Sequence, residues 1–419
     1  MTIEHLSSRQ ILDSRGRPTL ETTVTLDTGV SGTAAVPSGA STGSHEALEL
    51  RDQDPEVYQG AGVLQAVANV TGPIVKALKG LDVRDQRTID RTMIDLDGTV
   101  NKSSVGGNAI LSVSLAVMRA NAALQRQPLF RAIQQGFDLP EPSAERLPRP
   151  MMNIINGGKH ADTNVKVQEF MIVPDGSTVS ERIERGVNVY HTLGQELKKR
   201  KLSSLLGDEG GYAPSLREDT DALDLLQTAV QTAGYTIPTD IGLALDFAAS
   251  TFFDAATNRY QFGSQAKGLT SVGMTGILEE WLDRYQLLSI EDPLAEDDWE
   301  GWAAMTKKLG SRVMVVGDDL FVTNHNRLER GVKAGAANAV LIKPNQIGTL
   351  TETIETILKA QDDKYTVIVS HRSGETLDTF IADLAFAFGA PFLKAGAPAR
   401  GERVAKYNRL LEIEETLRA

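Results

Sequence analysis

The stretch VMVVGDDLFVTNHNRLERGVKAGAANAVLIKP, residues 313–344, contains two short apolar runs. They end in charged residues 25 positions apart, at Asp318 and Lys343. This separation is the length of one strand plus one crossover helix, the unit that joins parallel strands. The stretch therefore predicts two neighbouring parallel strands, one ending in a carboxylate and the next in an amine.

The same pattern recurs through the second half of the chain. The apolar runs end in Asp246, Glu291, Asp318, Lys343, His371 and Lys394, with steps of 45, 27, 25, 28 and 23 residues between them. Four steps fit one βα unit, and the longer first step has room for an extra segment around residues 252–262. Successive units of this size predict a parallel barrel, whose strand ends converge on one face. The six charged side chains are therefore expected to form one cluster.

Each of these residues also has an ordinary structural interpretation. A lone Asp or Lys at a strand end is most often solvated or caps a helix. Six in sequential register are harder to explain in that way, because neighbouring carboxylates raise one another's pKa unless a cation lies between them. Oxygen ligands without cysteine favour Mg²⁺, a hard ion that keeps waters and suits phosphate-bearing substrates. The pattern indicates a metal-assisted site for an anionic substrate.

The first third of the chain has a different texture. In RPTLETTVTLDTG (17–29), Leu20, Val24 and Leu26 share one face, and Gly29 indicates a turn. This predicts a small antiparallel sheet. Helical patterns follow in residues 63–80 and 107–127, so an α+β domain is expected.

A proline-rich segment separates the two textures. DLPEPSAERLPRP (138–150) has four prolines in thirteen residues, which resists both helix and central strand. We therefore predict an N-terminal α+β domain at 1–137, a linker at 138–150 and a barrel domain at 151–419.

Composition limits the classes of function. The 419 residues are 41% hydrophobic and 23% charged, as in an ordinary globular protein, and the formal charge of −12 disfavours non-specific nucleic-acid binding. The absence of cysteine excludes disulfides and thiolate metal sites. The start, MTIEHLSSRQ, has no leader pattern, and no apolar run is long enough to span a bilayer. We expect a cytoplasmic protein with no nucleic-acid partner and no membrane insertion.

Several longer motifs resemble those of the enolase (phosphopyruvate hydratase) family. In chain order they are PSGASTGSHEALELRD (37–52), NIINGGKHADTNVKVQEFMIVP (153–174), GDEGGYAP (207–214), LALDFAAS (243–250), SIEDPLAEDDW (289–299), VGDDLFVTN (316–324), LIKPNQIGTLTET (341–353), SHRSGET (370–376) and RVAKYNRLLEIEE (403–415). The resemblance covers nearly the whole chain. It implies an α/β fold: an N-terminal α+β domain, then a modified TIM-type (βα)8 barrel with irregular opening units and one antiparallel strand. It also implies Mg²⁺-dependent, reversible dehydration of 2-phospho-D-glycerate to phosphoenolpyruvate.

The resemblance assigns metal ligands. Asp246, Glu291 and Asp318 match the ligands of a first Mg²⁺, and Ser41 matches a ligand of a second. Two cations suit the chemistry, because removing the proton beside a carboxylate creates a dianion that water alone cannot stabilise. Lys394 matches a residue that adds positive charge at the substrate carboxylate.

The resemblance also assigns the proton transfers. Lys343 matches the general base, and burial, two Mg²⁺ ions and Lys394 are expected to lower its pKa so that the neutral amine is present. Glu209 matches the acid that protonates the leaving C3 hydroxyl, helped by Glu169 and Gln168. Taken alone, Glu209 on its glycine-flanked loop reads as an ordinary turn carboxylate.

The remaining assignments concern substrate binding. Arg372 and Ser373 match the phosphate ligands, and His371 and His160 match active-site histidines. The segment SGASTG (38–43) lacks the ending of a Walker loop; within the family pattern it resembles a catalytic lid.

Three positions depart from the family pattern, namely Leu377, Ala395 and Gly401, and they leave rate, metal affinity and subunit contacts open. Two alternatives to an enolase fit the residues less well. A related barrel dehydratase of acid sugars leaves Arg372 and Ser373 without a purpose. A catalytically silent binding protein predicts the loss of Lys343, Glu209 or a metal carboxylate, and none is lost. The resemblance further suggests a homodimer or an assembly of dimers.

Overall fold

The computed structural model describes residues 1–39, 43–140, 146–263 and 267–418. Within these ranges the chain forms a three-stranded antiparallel sheet covered by helices, followed by a closed barrel. The sequence analysis predicts this fold class, and it is confirmed. Ser41 and residues 141–145 of the predicted linker lie outside the described residues.

The N-terminal sheet consists of β1 (Ile3–Leu12), β2 (Pro18–Leu26) and β3 (Ser31–Ala35), paired in chain order. Leu20, Val24 and Leu26 are all fully buried, so the shared apolar face is confirmed. Gly29 adopts a φ of +82° in the turn before β3, a conformation that glycine reaches without strain.

The predicted helical segments of this domain are also present. The helices are α1 (Leu64–Asn69), α2 (Val75–Leu78), α3 (Gln86–Asp97), α4 (Gly107–Gln125) and α5 (Leu129–Gly136). A π-helical turn holds Pro73 between α1 and α2, where its missing N–H interrupts regular bonding. Helix α4 is apolar and long enough to cross a membrane, but 83% of its most apolar window is buried inside the protein, where it packs on the sheet.

The barrel closes on itself, with each strand paired to the next and the last paired to the first. In order around the barrel, the strands are β10 (Met314–Gly317), β11 (Ala339–Ile342), β12 (Thr366–Ser370), β13 (Phe392–Lys394), β4 (Arg149–Asn156), β5 (Glu169–Pro174), β6 (Ile241–Asp246) and β9 (Leu287–Glu291). Only β5 pairs antiparallel with its neighbours among these strands. This agrees with the irregular opening expected from the family resemblance.

The direction of β5 has a consequence for function. Because β5 runs against the other strands, its first residue, Glu169, lies at the face where the other strands end. It pairs in register with Asp246, which in turn pairs with Glu291. Three carboxyl groups therefore meet on neighbouring strands at one rim of the barrel.

The helices of the barrel domain follow the strands. They are α6 (Val179–Lys199), α7 (Asp219–Thr232), α8 (Ser271–Tyr285), α9 (Trp299–Leu309), α10 (His325–Ala334), α11 (Pro344–Ile347), α12 (Leu350–Asp362), α13 (Phe380–Ala387) and α14 (Gly401–Arg418). The extra segment expected after Asp246 is a 3-10 turn and a small hairpin of β7 (Phe253–Asp254) and β8 (Arg259–Tyr260).

Local sequence sets where helices begin. The Thr349 hydroxyl accepts a hydrogen bond from the amide of Glu352 and donates one to its carboxylate, which caps α12. Pro344 occupies the first position of α11 and leaves Lys343 in an extended conformation, as predicted. Below the charged rim the barrel interior is apolar, filled by side chains such as Met171, Val316 and Ile368. The charged groups at the rim therefore lie directly above the packed apolar core of the barrel.

Candidate active site

The strand ends bring the predicted cluster together. A narrow cavity of about 20 Å³, roughly the space of one water, opens at this rim. Eleven of the predicted site residues line it, and Glu291 contacts one of them, Lys394. The eleven are His160, Gln168, Glu169, Glu209, Asp246, Asp318, Lys343, His371, Arg372, Ser373 and Lys394. The cluster expected from the spacing of apolar runs therefore exists, although Ser41 lies outside the described residues.

Lys394 is the centre of the rim. Its ammonium lies 2.8 and 2.9 Å from the two carboxylate oxygens of Glu291, 2.9 Å from Glu169 Oε2 and 3.7 Å from Asp246 Oδ2. Burial would lower the pKa of Lys394, but Glu169 and Glu291 outweigh it and hold the pKa well above its ordinary value. Burial, followed by the nearby Asp246, raises the pKa of Glu291 to about 8. Three carboxyl groups at this rim, those of Glu169, Asp246 and Glu291, therefore surround the single positive charge of Lys394.

Lys343 pairs with Asp318. The Lys343 ammonium donates to Asp318 Oδ2, and Gln346 donates to the other oxygen at 2.8 Å. Burial alone would lower the pKa of Lys343, but the Asp318 carboxylate outweighs it and the pKa ends above its ordinary value. The protein groups therefore do not produce the lowered pKa expected from the sequence. Neutralising Asp318 would remove the main cause that raises it.

The sequence predicts no role in the site for Asp292 or Asp319. Asp292 adopts a φ of +40°, and its buried carboxylate accepts hydrogen bonds from the amides of Asp318 and Asp319 at 2.9 and 2.8 Å. Burial raises the pKa of Asp292 well above its usual range and that of Asp319 to about 8. Asp292 therefore ties the end of β9 to the segment after β10. Its position beside Glu291 is the only signal in the sequence.

A second group of buried residues faces Lys343 across the cavity. His160 Nδ1 lies 3.5 Å from Glu169 Oε1 and 3.6 Å from Glu209 Oε1, and Asn153 donates to Glu209 Oε2 at 2.7 Å. Burial and the Glu209 carboxylate raise the pKa of Glu169 well above its ordinary value. Burial would raise the pKa of Glu209 as well, but His160 and His371, with Arg403 and Lys394, hold it well below. The pKa values of the two carboxyl groups are therefore shifted in opposite directions, so that the protonated form is favoured at Glu169 and the charged form at Glu209.

Burial favours the neutral form of both histidines, although the Glu209 carboxylate opposes it. Burial lowers the pKa of His160, and it lowers that of His371 far more. His371 Nε2 lies 3.6 Å from Glu209 Oε1. Gln168 donates to Asp246 Oδ2 at 3.2 Å, so it links this group to the strand-end carboxylates.

Arg372 and Ser373 follow β12 at the other end of the cavity. The Arg372 guanidinium contacts both oxygens of Glu46 at 2.8 and 3.2 Å and donates to Asn345 Oδ1 at 3.2 Å. Arg15 of the N-terminal domain donates to the Ser373 hydroxyl at 3.4 Å. Burial would lower the pKa of Arg372, but Glu46 raises it above its usual value. A carboxylate from the N-terminal domain thus makes the two-pronged contact with Arg372 that a phosphate can also make.

The donor set suits a hard divalent cation. Among the described residues, ligand atoms of Asp292, Asp318 and Asp319 lie within 4.8 Å of one another, and so do those of His160, Glu169 and Glu209. Burial and then the nearby Asp246 raise the pKa of Glu291, and a bound cation would favour the charged carboxylate. The predicted ligands Asp246, Glu291 and Asp318 offer carboxylate oxygens at adjacent strand ends, which is the chemistry that Mg²⁺ prefers.

The fold and the site define a barrel protein with an acid–base site and candidate metal ligands at the carboxyl ends of its strands. Residues 3–133 match the family model "Enolase, N-terminal domain", and residues 144–419 match "Enolase, C-terminal TIM barrel domain". The chain belongs to the enolase family. Members of this superfamily are lyases that typically bind Mg²⁺, and the acidic groups described above could hold such an ion.

Proposed function

We propose that this protein is an enolase: a Mg²⁺-dependent lyase that reversibly converts 2-phospho-D-glycerate into phosphoenolpyruvate and water. One observation carries the proposal. A single cavity is lined by two lysines, by two glutamates with opposite pKa shifts, and by an arginine followed by a serine. These are the groups that a β-elimination from a phosphorylated hydroxy acid requires.

Lys343 removes the C2 proton. Its amine lies at a strand end, held by the extended backbone before Pro344, and its side chain is only 13% exposed. The contact with Asp318 favours the protonated amine, and a cation held by the Asp318 carboxylate would weaken that contact and favour the neutral base.

The pair Glu169 and Glu209 supplies the proton for the leaving group. The proton of Glu169 passes to Glu209, which faces the cavity and delivers it to the C3 hydroxyl as the C3–O bond breaks. The electron pair from the C2–H bond forms the C2–C3 double bond, and Lys343 keeps the C2 proton until it returns to solvent. Water leaves, so atoms and charge balance across the two steps.

Asp246, Glu291 and Asp318 are proposed to hold one Mg²⁺, and Ser41 to contribute to a second. When bound, these ions polarise the substrate carboxylate and stabilise the negative charge that develops there. Lys394 adds a fixed positive charge at the same position, since its ammonium is buried among the rim carboxylates. Arg372 and Ser373 hold the phosphate.

Three further properties stay predictions from the family resemblance. They are two Mg²⁺ ions per site, a homodimer or an assembly of dimers, and a cytoplasmic location. The oligomeric state and the location do not enter the chemistry above, whereas the two ions would stabilise the charge that develops on the substrate.

The direct test is an absorbance assay of phosphoenolpyruvate formation from 2-phospho-D-glycerate. Product should appear with Mg²⁺ and should vanish when the ion is chelated. D-glycerate is the matched control, and it should not react because it offers no phosphate to Arg372 and Ser373. Metal-dependent turnover of D-glycerate at a similar rate would favour a dehydratase of other acids, and no turnover of either compound would overturn the proposal.

A further inference from the structure

Arg403 lies at the junction of three segments that carry site residues. This residue of α14 is fully buried. Its guanidinium donates to the carbonyl oxygens of Arg372 at 2.6 Å, Ser373 at 2.5 Å and Asp208 at 3.2 Å. Gly396 makes room for it, because a Cβ there would lie 2.7 Å from Arg403 Cδ. The residue fastens the segment after β12 to the loop that carries Glu209.

The same guanidinium also contacts a side chain of the site. Arg403 Nη1 lies 2.6 Å from Nδ1 of His371. An arginine has only N–H donors and no acceptor, and it stays charged in proteins. His371 Nδ1 must therefore accept this hydrogen bond and cannot carry a proton.

The contact with Arg403 also determines whether the other ring nitrogen of His371, Nε2, carries a proton. A neutral imidazole has one proton, so with Nδ1 as acceptor the proton lies on Nε2. Nε2 lies 3.6 Å from Glu209 Oε1, and the described protein atoms give it no hydrogen-bond partner. The N–H thus faces the carboxylate that the elimination requires. Lys343 and Lys394, the other charged groups that act on the ring, favour the same neutral state.

We propose that Arg403 is a positioning residue that fixes His371 in the tautomer with its proton on Nε2, so that this N–H is directed at Glu209. The catalytic consequence rests on the proposed function, since it assumes that Glu209 acts on the leaving hydroxyl. In the other tautomer a lone pair of Nε2 faces the carboxylate oxygens, and Glu209 loses a donor that orients it. Arg403 then controls the loss of water without taking part in the removal of the C2 proton.

The tautomer can be read directly from the wild-type protein. The full-length chain is labelled with ¹⁵N-histidine, and two-bond ¹H–¹⁵N correlations separate protonated from unprotonated ring nitrogens at neutral pH. Only six histidines are present, and a His371→Gln variant identifies the signals of His371 by their loss. We expect a protonated Nε2 and an unprotonated Nδ1. A proton on Nδ1, or on both nitrogens, would overturn the inference whatever the protein catalyses.

Two variants separate the tautomer from packing. Arg403→Lys keeps a donor-only group, whereas Arg403→Gln introduces a carbonyl that can accept from Nδ1–H. Arg403→Lys should keep the wild-type tautomer, and Arg403→Gln should show a mixture or the opposite form. Arg409→Gln is the control on the same helix, since Arg409 pairs with Asp383 away from the cavity and its loss should leave the His371 spectrum unchanged. An unchanged tautomer in folded Arg403→Gln would contradict the inference, and if that variant does not fold, the wild-type and Arg403→Lys spectra decide.

Kinetics then distinguish this inference from the proposed function. In deuterated buffer with Mg²⁺, Arg403→Gln should still exchange the C2 proton of 2-phospho-D-glycerate but form phosphoenolpyruvate at least about tenfold more slowly, with Arg403→Lys restoring part of kcat. Equal loss of exchange and product would assign Arg403 a merely structural role. If the wild-type protein shows the expected tautomer but forms no product, the proposed function fails and the tautomer assignment stands.

Discussion

The two halves of the candidate site are built in different ways. Asp246, Glu291 and Lys394 lie on neighbouring barrel strands, where backbone register fixes their spacing. Glu209 and Glu46 lie on segments outside the strands and are held by side-chain contacts with residues far away in the chain. The first half has more carboxylates than cations, whereas the second half is organised by hydrogen bonds. In the proposed reaction the strand ends would remove the C2 proton and stabilise charge, and Glu209 on its loop would deliver a proton to the leaving group.

The largest effect on the proposed division between the two halves is expected when the base, Lys343, is removed. Lys343→Ala should lower the rates of C2 proton exchange and of product formation by about 10²- to 10⁴-fold each, because the only proposed acceptor for that proton is gone. Glu209→Gln should keep exchange and lose product. The experiment is NMR of substrate recovered from deuterated buffer, after Mg²⁺ saturation is verified for each variant. Exchange at the wild-type rate in Lys343→Ala would show that the halves do not divide the two steps as proposed.

Arg372 tests the contact between the halves. Arg372→Lys keeps the charge but loses the planar guanidinium that contacts two oxygens at once. We therefore expect kcat/KM to fall roughly 30-fold, which corresponds to an activation free energy higher by about 2 kcal/mol. The matched control is Arg409→Lys, which changes an equally two-pronged contact with Asp383 outside the cavity. If both variants keep the wild-type kcat/KM, Arg372 does not hold the phosphate.

Asp292 sharpens the description of the strand-end half. The two carboxylate oxygens of Asp292 each accept one amide hydrogen bond. In Asp292→Asn one of these oxygens becomes an NH₂ group, which is a donor and cannot accept, so one hydrogen bond is lost and Asp318 should lose its orientation. We expect Mg²⁺ affinity to weaken at least about tenfold, as for other groups that orient a metal ligand. Calorimetric titration with Mg²⁺ measures this without substrate. Asp283→Asn on α8, whose side chain is 67% exposed and pairs with Arg312, is the control, and equal affinities in the two variants would count against the role of Asp292.

The smallest effect on the reaction is expected at the domain interface, away from both halves. Asp90 of α3 accepts hydrogen bonds from the amide and hydroxyl of Thr351 on α12, and burial raises the pKa of Asp90 to about 6. Because its unfolded pKa is about 4, the folded protein binds more protons between pH 4 and 6. The contribution of Asp90 to stability is therefore greatest below pH 4 and is lost as the pH rises to 6.

This linkage amounts to at most about 3 kcal/mol. Asp90→Asn should flatten the fall in unfolding free energy across that pH range, measured with urea, while kcat at neutral pH changes little. Asp95→Asn on the exposed side of the same helix is the control, since its carboxylate is 60% exposed and pairs only with Arg91 among the described residues. Parallel pH profiles for wild type and Asp90→Asn would exclude the linkage.

Sequence reasoning and tertiary structure contributed to different parts of the site. The motifs contain Asp292, Glu46 and Arg403, yet nothing in their spacing distinguishes these residues from surface charges. Glu46 meets Arg372 across 326 positions of the chain, and a contact of that kind follows no local period. The opposite pKa shifts of Glu169 and Glu209 also depend on burial, which cannot be read from the residue type alone.

By itself, the sequence determined the barrel, the face on which the strands end and the charged residues carried there. It could do so because strand alternation and the length of a crossover helix are local properties of the backbone. The antiparallel course of β5 came from the family resemblance. Only the tertiary structure decided which charges pair, in which direction the pKa values of Glu169 and Glu209 shift, and which nitrogen of His371 faces Glu209. Those outcomes depend on distances and desolvation among side chains from remote segments, and both arise only when the chain has folded.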